Sequence, residues 1–202
     1  MTCLAPSLGV AILAGGMSRR MGADKAWALL DGQPLIAHVI ARMQPLGASR
    51  MLVVAREPER FLRLGVEACS DIVPDQGPLG GLHTALHTLE TDNIALVGCD
   101  MPCASAAIFE RLIAEQARAD VPYAAVVPRY GGQPQPLHAL YHRRALPMVE
   151  ARLALGERRM LDLLSVLPTR LLDEAEFPAE EAGRAFLNLN TVDALAAAQT
   201  KG

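Results

Sequence analysis

Three short stretches of this sequence put chemistry-bearing side chains directly after apolar runs. The first is Gly15-Gly16-Met17-Ser18-Arg19-Arg20-Met21-Gly22-Ala23-Asp24-Lys25, which follows the apolar Val10, Ile12 and Leu13. Glycine lets backbone N–H groups approach a ligand with no Cβ in the way. Successive N–H groups in such a loop form a concave nest for anions. Arg19, Arg20 and Lys25 add positive charge, so a triphosphate is the ligand this composition suits. A plain glycine-rich turn with solvated arginines is the other reading.

Spacing excludes the two better-known phosphate loops. A Walker A loop needs Gly-Lys-Ser/Thr in succession. Here Ala23-Asp24 separate Gly22 from Lys25, and Ala26 stands where the hydroxyl residue belongs. The dinucleotide pattern G-x-G-x-x-G is also absent, because Gly15 and Gly16 are adjacent. Lys25 stands out for another reason. Of 19 Lys and Arg residues only Lys25 and Lys201 are lysine. A compact ammonium can enter a tight nest as a point charge, whereas the planar guanidinium fork cannot.

The second stretch is Asp75-Gln76-Gly77-Pro78-Leu79-Gly80-Gly81, a glycine loop opening a helix. Asp75 either contacts a ligand there or begins a Pro/Gly turn. The third is Gly98-Cys99-Asp100-Met101-Pro102, at the end of an apolar run. In open α/β sheets, ligands sit beyond the carboxyl ends of the strands. Asp100 could hold Mg²⁺, which usually takes one or two carboxylates plus phosphates and waters. Capping the following helix or turn is its alternative. His83 and His87 lie four apart on the helix expected after the second loop and could share a metal. With no third ligand evident, a packing or solvated role is the reading adopted.

The run L-A-G-G-x-S-x-R-M-G-x-D-K, residues 13–25, resembles the signature of nucleotidyltransferases that use a nucleoside triphosphate to cap a phosphorylated acceptor. The nearest resemblance is to the molybdenum cofactor guanylyltransferase family, which joins GMP from GTP to molybdopterin. The related cytidylyltransferases have a similar loop with A-A-G in place of A-G-G. Asp75 with Gly77-Pro78-Leu79-Gly80-Gly81, and Asp100-Met101-Pro102, extend the resemblance. So do Gln135-Pro136-Leu137-His138-Ala139-Leu140, Gly156-Glu157-Arg158-Arg159 and Asn188-Leu189-Asn190-Thr191, on the side attributed to the pterin.

The resemblance implies a Rossmann-like nucleotidyltransferase with Mg²⁺ as cofactor, GTP and molybdopterin as small-molecule partners, and a cytoplasmic location. Transient contact with molybdoenzymes or their chaperones is a further implied partner. Lys25, Asp100 and Arg19 take catalytic roles, with the metal on Asp100. Leu13, Ala14, Gly15, Gly16, Gly22, Lys25, Asp75, Gly77 and Asp100 bind nucleotide. Arg158, Asn188 and Asn190 bind the acceptor. For Arg158-Arg159, starting a solvated helix is an equal alternative. Transfer from CTP, transfer to a sugar phosphate, and a non-catalytic nucleotide-binding module stay open as rival functions. One departure is plain. Where the family carries Asn after its second apolar strand, this chain has Val54-Ala55-Arg56, so that contact is not carried over.

Alternating apolar runs and helical spacings supply the elements that must position these residues. Strands are expected at residues 9–13, 51–55, 72–73, 93–97, 124–128, 137–141 and 169–172. A turn is expected at Asp31-Gly32. Helices are expected from Pro34 on through Leu35, Ile36, Val39, Ile40 and Met43, then over 79–89, 104–119, 144–154 and 158–164. A C-terminal helix is expected to begin at Thr191. Residues 56–64 read as a short helix or turn, and 130–134 as a turn. The alternation predicts an α/β fold, one doubly wound, mostly parallel sheet with helices on both faces. One domain over 1–202 is expected, with nucleotide handled by about 8–102 and acceptor by about 103–202.

Bulk composition fits a small anionic ligand. Half the residues are hydrophobic (51%), which describes a globular core. A net charge of −3 offers no general affinity for nucleic acid or anionic membrane, and 4% aromatics argue against a base-stacking strand binder. No apolar run approaches the ~20 residues of a membrane span. Cys3, Cys69, Cys99 and Cys103 form no C-x-x-C pair and are expected to be free thiols.

Overall fold

A computed structural model describes residues 6–15 and 25–186. β1 (Leu8–Leu13) leads to a hairpin of two short strands, β2 (Leu29–Leu30) and β3 (Gln33–Pro34), turned at Asp31 and Gly32. There follow α1 (Leu35–Met43), β4 (Arg50–Val54), β5 (Glu67–Cys69), α2 (Gly77–Leu89), β6 (Asn93–Gly98) and α3 (Ala106–Ala117). The rest comprises β7 (Ala125–Tyr130), β8 (Gln133–Pro134), β9 (His138–His142), α4 (Leu146–Ala154), α5 (Met160–Leu164), β10 (Thr169–Leu172) and α6 (Ala179–Ala185).

Among the described residues the main sheet runs β10-β7-β9-β6-β1-β4-β5, with β8 paired to β7. The pairs β1–β4, β1–β6, β4–β5 and β7–β10 are parallel. Only the returning strand β9 and the short β8 run antiparallel to their neighbours. From β1 the chain first moves outward to β4 and β5, then crosses back to place β6 on the other side of β1. That reversal is the switch point at which open α/β sheets open a ligand crevice.

Both faces of the sheet are covered, which is why every residue of β6 and all but the first of β1 are buried. Along β1, Val10 and Ile12 join one core with Ile36, Val39 and Met43 of α1 and Ile108, Phe109 and Leu112 of α3. Ala11 and Leu13 point the other way, into a second core with Leu79, Leu82 and Leu86 of α2, Val149 of α4 and Leu163 of α5. The period of two along the strand makes the two cores, and the helical period supplies their covers.

The expected strand at 72–73 does not form. Ile72 and Val73 are 53% and 39% exposed. β5 lies earlier, where Glu67, Ala68 and Cys69 pair with Leu52, Val53 and Val54. The Ile72 amide instead donates to the Thr84 hydroxyl on α2, at 3.0 Å. The 72–73 segment is thus a crossover held to a helix. The expected turn at 130–134 contains the short hairpin of β7 and β8 around Gly131 and Gly132. The helix expected from Thr191 lies outside the described residues.

Candidate active site

Backbone hydrogen bonds continue the ladder one step past the strands. Ala14 N–H donates to the Val54 carbonyl, Cys99 N–H to Leu13, Gly98 N–H to Leu137 and Ala55 N–H to Cys69, all at 2.9–3.0 Å. The starts of the loops after β1, β4 and β6 are therefore held in one plane at the carboxyl edge of the sheet.

Lys25 and Asp100 meet there. Lys25 Nζ donates to Asp100 Oδ2 at 2.8 Å across 75 residues of sequence. The two side chains are 14% and 19% exposed. Neighbours fix the lysine's position. Ala26 is fully buried, and the Trp27 ring lies 5.2 Å from Phe61 with the Arg60 guanidinium over its face. Asp100 lies close against Gly98, where a Cβ would come within 2.6 Å of Asp100 Oδ1. The helix-cap reading of Asp100 is not what the structure shows. α3 is capped by Ser105, whose hydroxyl accepts from the Ile108 amide at 3.3 Å.

Gly98→Ala accordingly tests the placement of the carboxylate rather than the fold. The clash is with the end of a short side chain that can swing aside. A displacement of about 1 Å can cost on the order of 10²-fold in rate. The variant should melt within a few degrees of wild type and lose turnover by about that factor. Normal turnover would show that the Asp100 position is unimportant.

The second loop packs directly on the first strand. A Cβ on Gly81 would lie 2.7 Å from Leu13 Cδ2, so only glycine allows α2 this close to β1. Asp75 stands at the outer mouth, with φ +60° and its side chain 66% exposed. Its carboxylate accepts from Arg56 at 3.1 Å. Arg56 follows β4, two residues past Val54.

Asp71 was not singled out in the sequence, yet its Oδ2 lies 3.8 Å from where a Cβ on Gly15 would sit. Burial, and then the charge of Asp75, hold its carboxyl above the usual range against the opposing pull of Arg56. No sequence pattern marked it, because β5 (Glu67–Cys69) is short and half-exposed and the strand was expected at 72–73.

Of the acceptor-side residues, Arg158 is exposed, and its carbonyl lies 4.0 Å from the Cβ position of Gly77. The loop carrying it is tied down by Arg152, which donates to both carboxylate oxygens of Glu157 at 2.8 Å. The 156–159 stretch therefore borders the second glycine loop. His138, within another stretch of the resemblance, is wholly buried. Its ring stacks on Phe109 at 4.4 Å, and burial pushes its pKa down to about 3. It is a neutral core group. Gly16, Arg19, Gly22, Asn188 and Asn190 lie outside the described residues. Cys69, Cys99 and Cys103 are free of disulfides, and no described helix is long and apolar enough to cross a membrane.

A cation and a carboxylate from separate loops thus meet at the switch point of an open, mostly parallel α/β sheet, the place where such sheets bind ligands. Residues 10–173 match the MobA-like NTP transferase domain family, and the chain belongs to that family of nucleotidyltransferases. It is 37% identical over 185 residues to a molybdenum cofactor guanylyltransferase of Photobacterium profundum, covering 91% of each chain. A molybdenum cofactor guanylyltransferase of Vibrio cholerae is 35% identical over 188 residues, covering 92% of this chain and 88% of that one. Among solved structures, molybdopterin-guanine dinucleotide biosynthesis protein A from Archaeoglobus fulgidus superposes with a TM-score of 0.78 at 27% identity, over 96% of this chain and 97% of that one.

Proposed function

We propose that this chain transfers GMP from GTP to the terminal phosphate of molybdopterin, releasing pyrophosphate and forming the guanine dinucleotide. The observation that carries the chemistry is the 2.8 Å Lys25–Asp100 pair at the switch point. The names of its relatives support the choice of nucleotide and acceptor.

An oxygen of the acceptor phosphate attacks the α-phosphorus, the bond to the β-phosphate oxygen breaks, and pyrophosphate leaves. No strong general base is needed, because a phosphate monoester with a second pKa of about 6 is largely ionised at neutral pH. Lys25 and the loop from Gly15 neutralise the triphosphate, Lys25 exchanging its carboxylate partner for phosphate oxygens. Arg19 adds charge to the same loop.

Asp100 fits Mg²⁺. It is a hard oxygen donor, mostly shielded, and seated against a glycine that leaves room for its carboxylate. When bound, the ion supplies neutralisation of charge on the α-phosphate and the leaving group. The part comprising residues 8–102 binds nucleotide and the part from 103 on binds acceptor. Arg158 sits where the two meet, and Asn188 and Asn190 complete the acceptor side.

Asp71 is the carboxylate best placed to read guanine, which presents N1–H and N2–H₂ side by side. Cytosine would set an acceptor against the carboxylate. Asp71 is half-buried beside Gly15, whereas Asp75 is solvated and engaged by Arg56. A bidentate base contact discriminates by ~1–3 kcal/mol, about five- to 150-fold. Asp71→Asn should lower the ratio of GTP to CTP affinity by about that factor. Asp75→Asn, which tolerates the same positive φ, should leave the ratio unchanged. Equal weakening of both nucleotides in Asp71→Asn would move Asp71 to ribose or metal, and a changed ratio in Asp75→Asn alone would give the base-reading role to Asp75.

The whole reading is tested by pyrophosphate release across the four nucleoside triphosphates, with and without molybdopterin. Release with GTP and molybdopterin together is the expected result. Release with CTP instead, or failure of every nucleotide to support release, would overturn it.

A further inference from the structure

Away from the site, α2 and α4 bring three metal-ligating side chains together. His83 and His87 project from successive turns of α2, and their rings lie 4.6 Å apart. Glu150 comes from α4, 63 residues further along the chain from His87. Its Oε1 is 3.1 Å from His87 Nε2 and 3.9 Å from His83 Nε2. One ligand atom from each of the three lies within 4.8 Å of the other two.

We propose that His83, His87 and Glu150 form a binding site for a divalent transition ion of the Zn²⁺ class, clipping α2 to α4. Two imidazoles and one carboxylate are a donor set that Zn²⁺ accepts, with bonds of about 2.0–2.2 Å. Tetrahedral ligands at that range stand about 3.3 Å apart, and the two measured separations to Glu150 bracket this value. His87 and Glu150 are 41% and 49% exposed, so they can adjust and leave a coordination position to water.

His83 is different, being 7% exposed with an Nδ1 that has no hydrogen-bond partner among the described residues. Coordination through Nε2, the nitrogen that faces Glu150, would leave that Nδ1 as the ring's N–H. Hard cations such as Mg²⁺ prefer all-oxygen sites, so the ion held here is distinct from the one proposed for Asp100. The clip acts on the helix that begins with the second glycine loop, and its role is to stiffen that helix.

The test uses the full chain, without an affinity tag and stripped of metal by a chelator. Zn²⁺ is titrated by calorimetry, and Co²⁺ serves as an optical probe. One Zn²⁺ per chain should bind and raise the melting temperature by mass action. The Co²⁺ spectrum should be that of nitrogen and oxygen ligands, without thiolate charge transfer. His87→Ala and Glu150→Gln, both at half-exposed positions, should still fold and keep zinc-free turnover. Each should weaken Zn²⁺ binding by about 100-fold or more, a loss that even an outer-shell partner can cause. Absence of Zn²⁺ binding in the wild type would overturn the assignment. So would affinity retained in the double variant, or a thiolate spectrum pointing to the cysteines.

Discussion

Asp100→Asn is expected to remove metal-dependent turnover from a chain that still folds. The amide keeps the shape of the side chain between Gly98 and Lys25 but loses the charge. It can still accept a hydrogen bond from Lys25 Nζ, now 2.8 Å from Oδ2. Loss of one preorganised charge-stabilising group costs about 10²–10³-fold in kcat, and loss of the metal's protein ligand should cost at least that. GTP should still bind weakly, because Lys25 is no longer held by a carboxylate. The check is a titration of Mg²⁺ against turnover. A variant with the wild-type Mg²⁺ response would remove Asp100 from the metal site. Helix capping is not the alternative, since Ser105 performs it five residues on.

Lys25→Ala should lower turnover by about 10²–10³-fold through loss of the charge facing the triphosphate. Its effect on folding should be small. Partly exposed ion pairs contribute on the order of 1 kcal/mol, which in a domain of this size is a shift of a few degrees in melting temperature. Ala26 and Trp27 anchor the turn independently of the lysine, through burial and the contact with Phe61. Lys25→Arg should fail as well. The fork keeps the charge, but its planar width does not fit a space that a single ammonium fills beside Asp100. Kinetics and thermal melting on both variants decide the matter. Rescue of turnover by arginine would show that charge alone is required, and normal turnover in Lys25→Ala would end the assignment.

The sequence by itself determined the features whose causes are local. The apolar run before Gly15 had to be a buried strand. Leu35, Ile36, Val39, Ile40 and Met43 had to lie on one side of a helix, and all five are buried. Thr169–Leu172 came out as the strand expected there. Glycine spacing, and a lysine in a chain that otherwise uses arginine almost throughout, are local facts as well, and they carry the expectation of a phosphate-binding loop. What only the tertiary structure decided are meetings between residues far apart in the chain. Periodicity says which side chains turn inward, but it carries no information on which loop ends share an edge.

Strand order made Lys25 and Asp100 partners, by placing β6 beside β1 after β5 had gone the other way. The same order set Asp71 beside Gly15, and it left Asp75 solvated at the mouth of the second loop. His138 lies in a stretch, Gln135 to Leu140, that resembles the family on the side attributed to the pterin. Strand alternation and the closeness of α3 instead turned it onto Phe109 and into the core. The third partner of His83 and His87 was invisible for the same reason. The side chain that joins them belongs to α4, and only the packing of α4 on α2 brings it within reach.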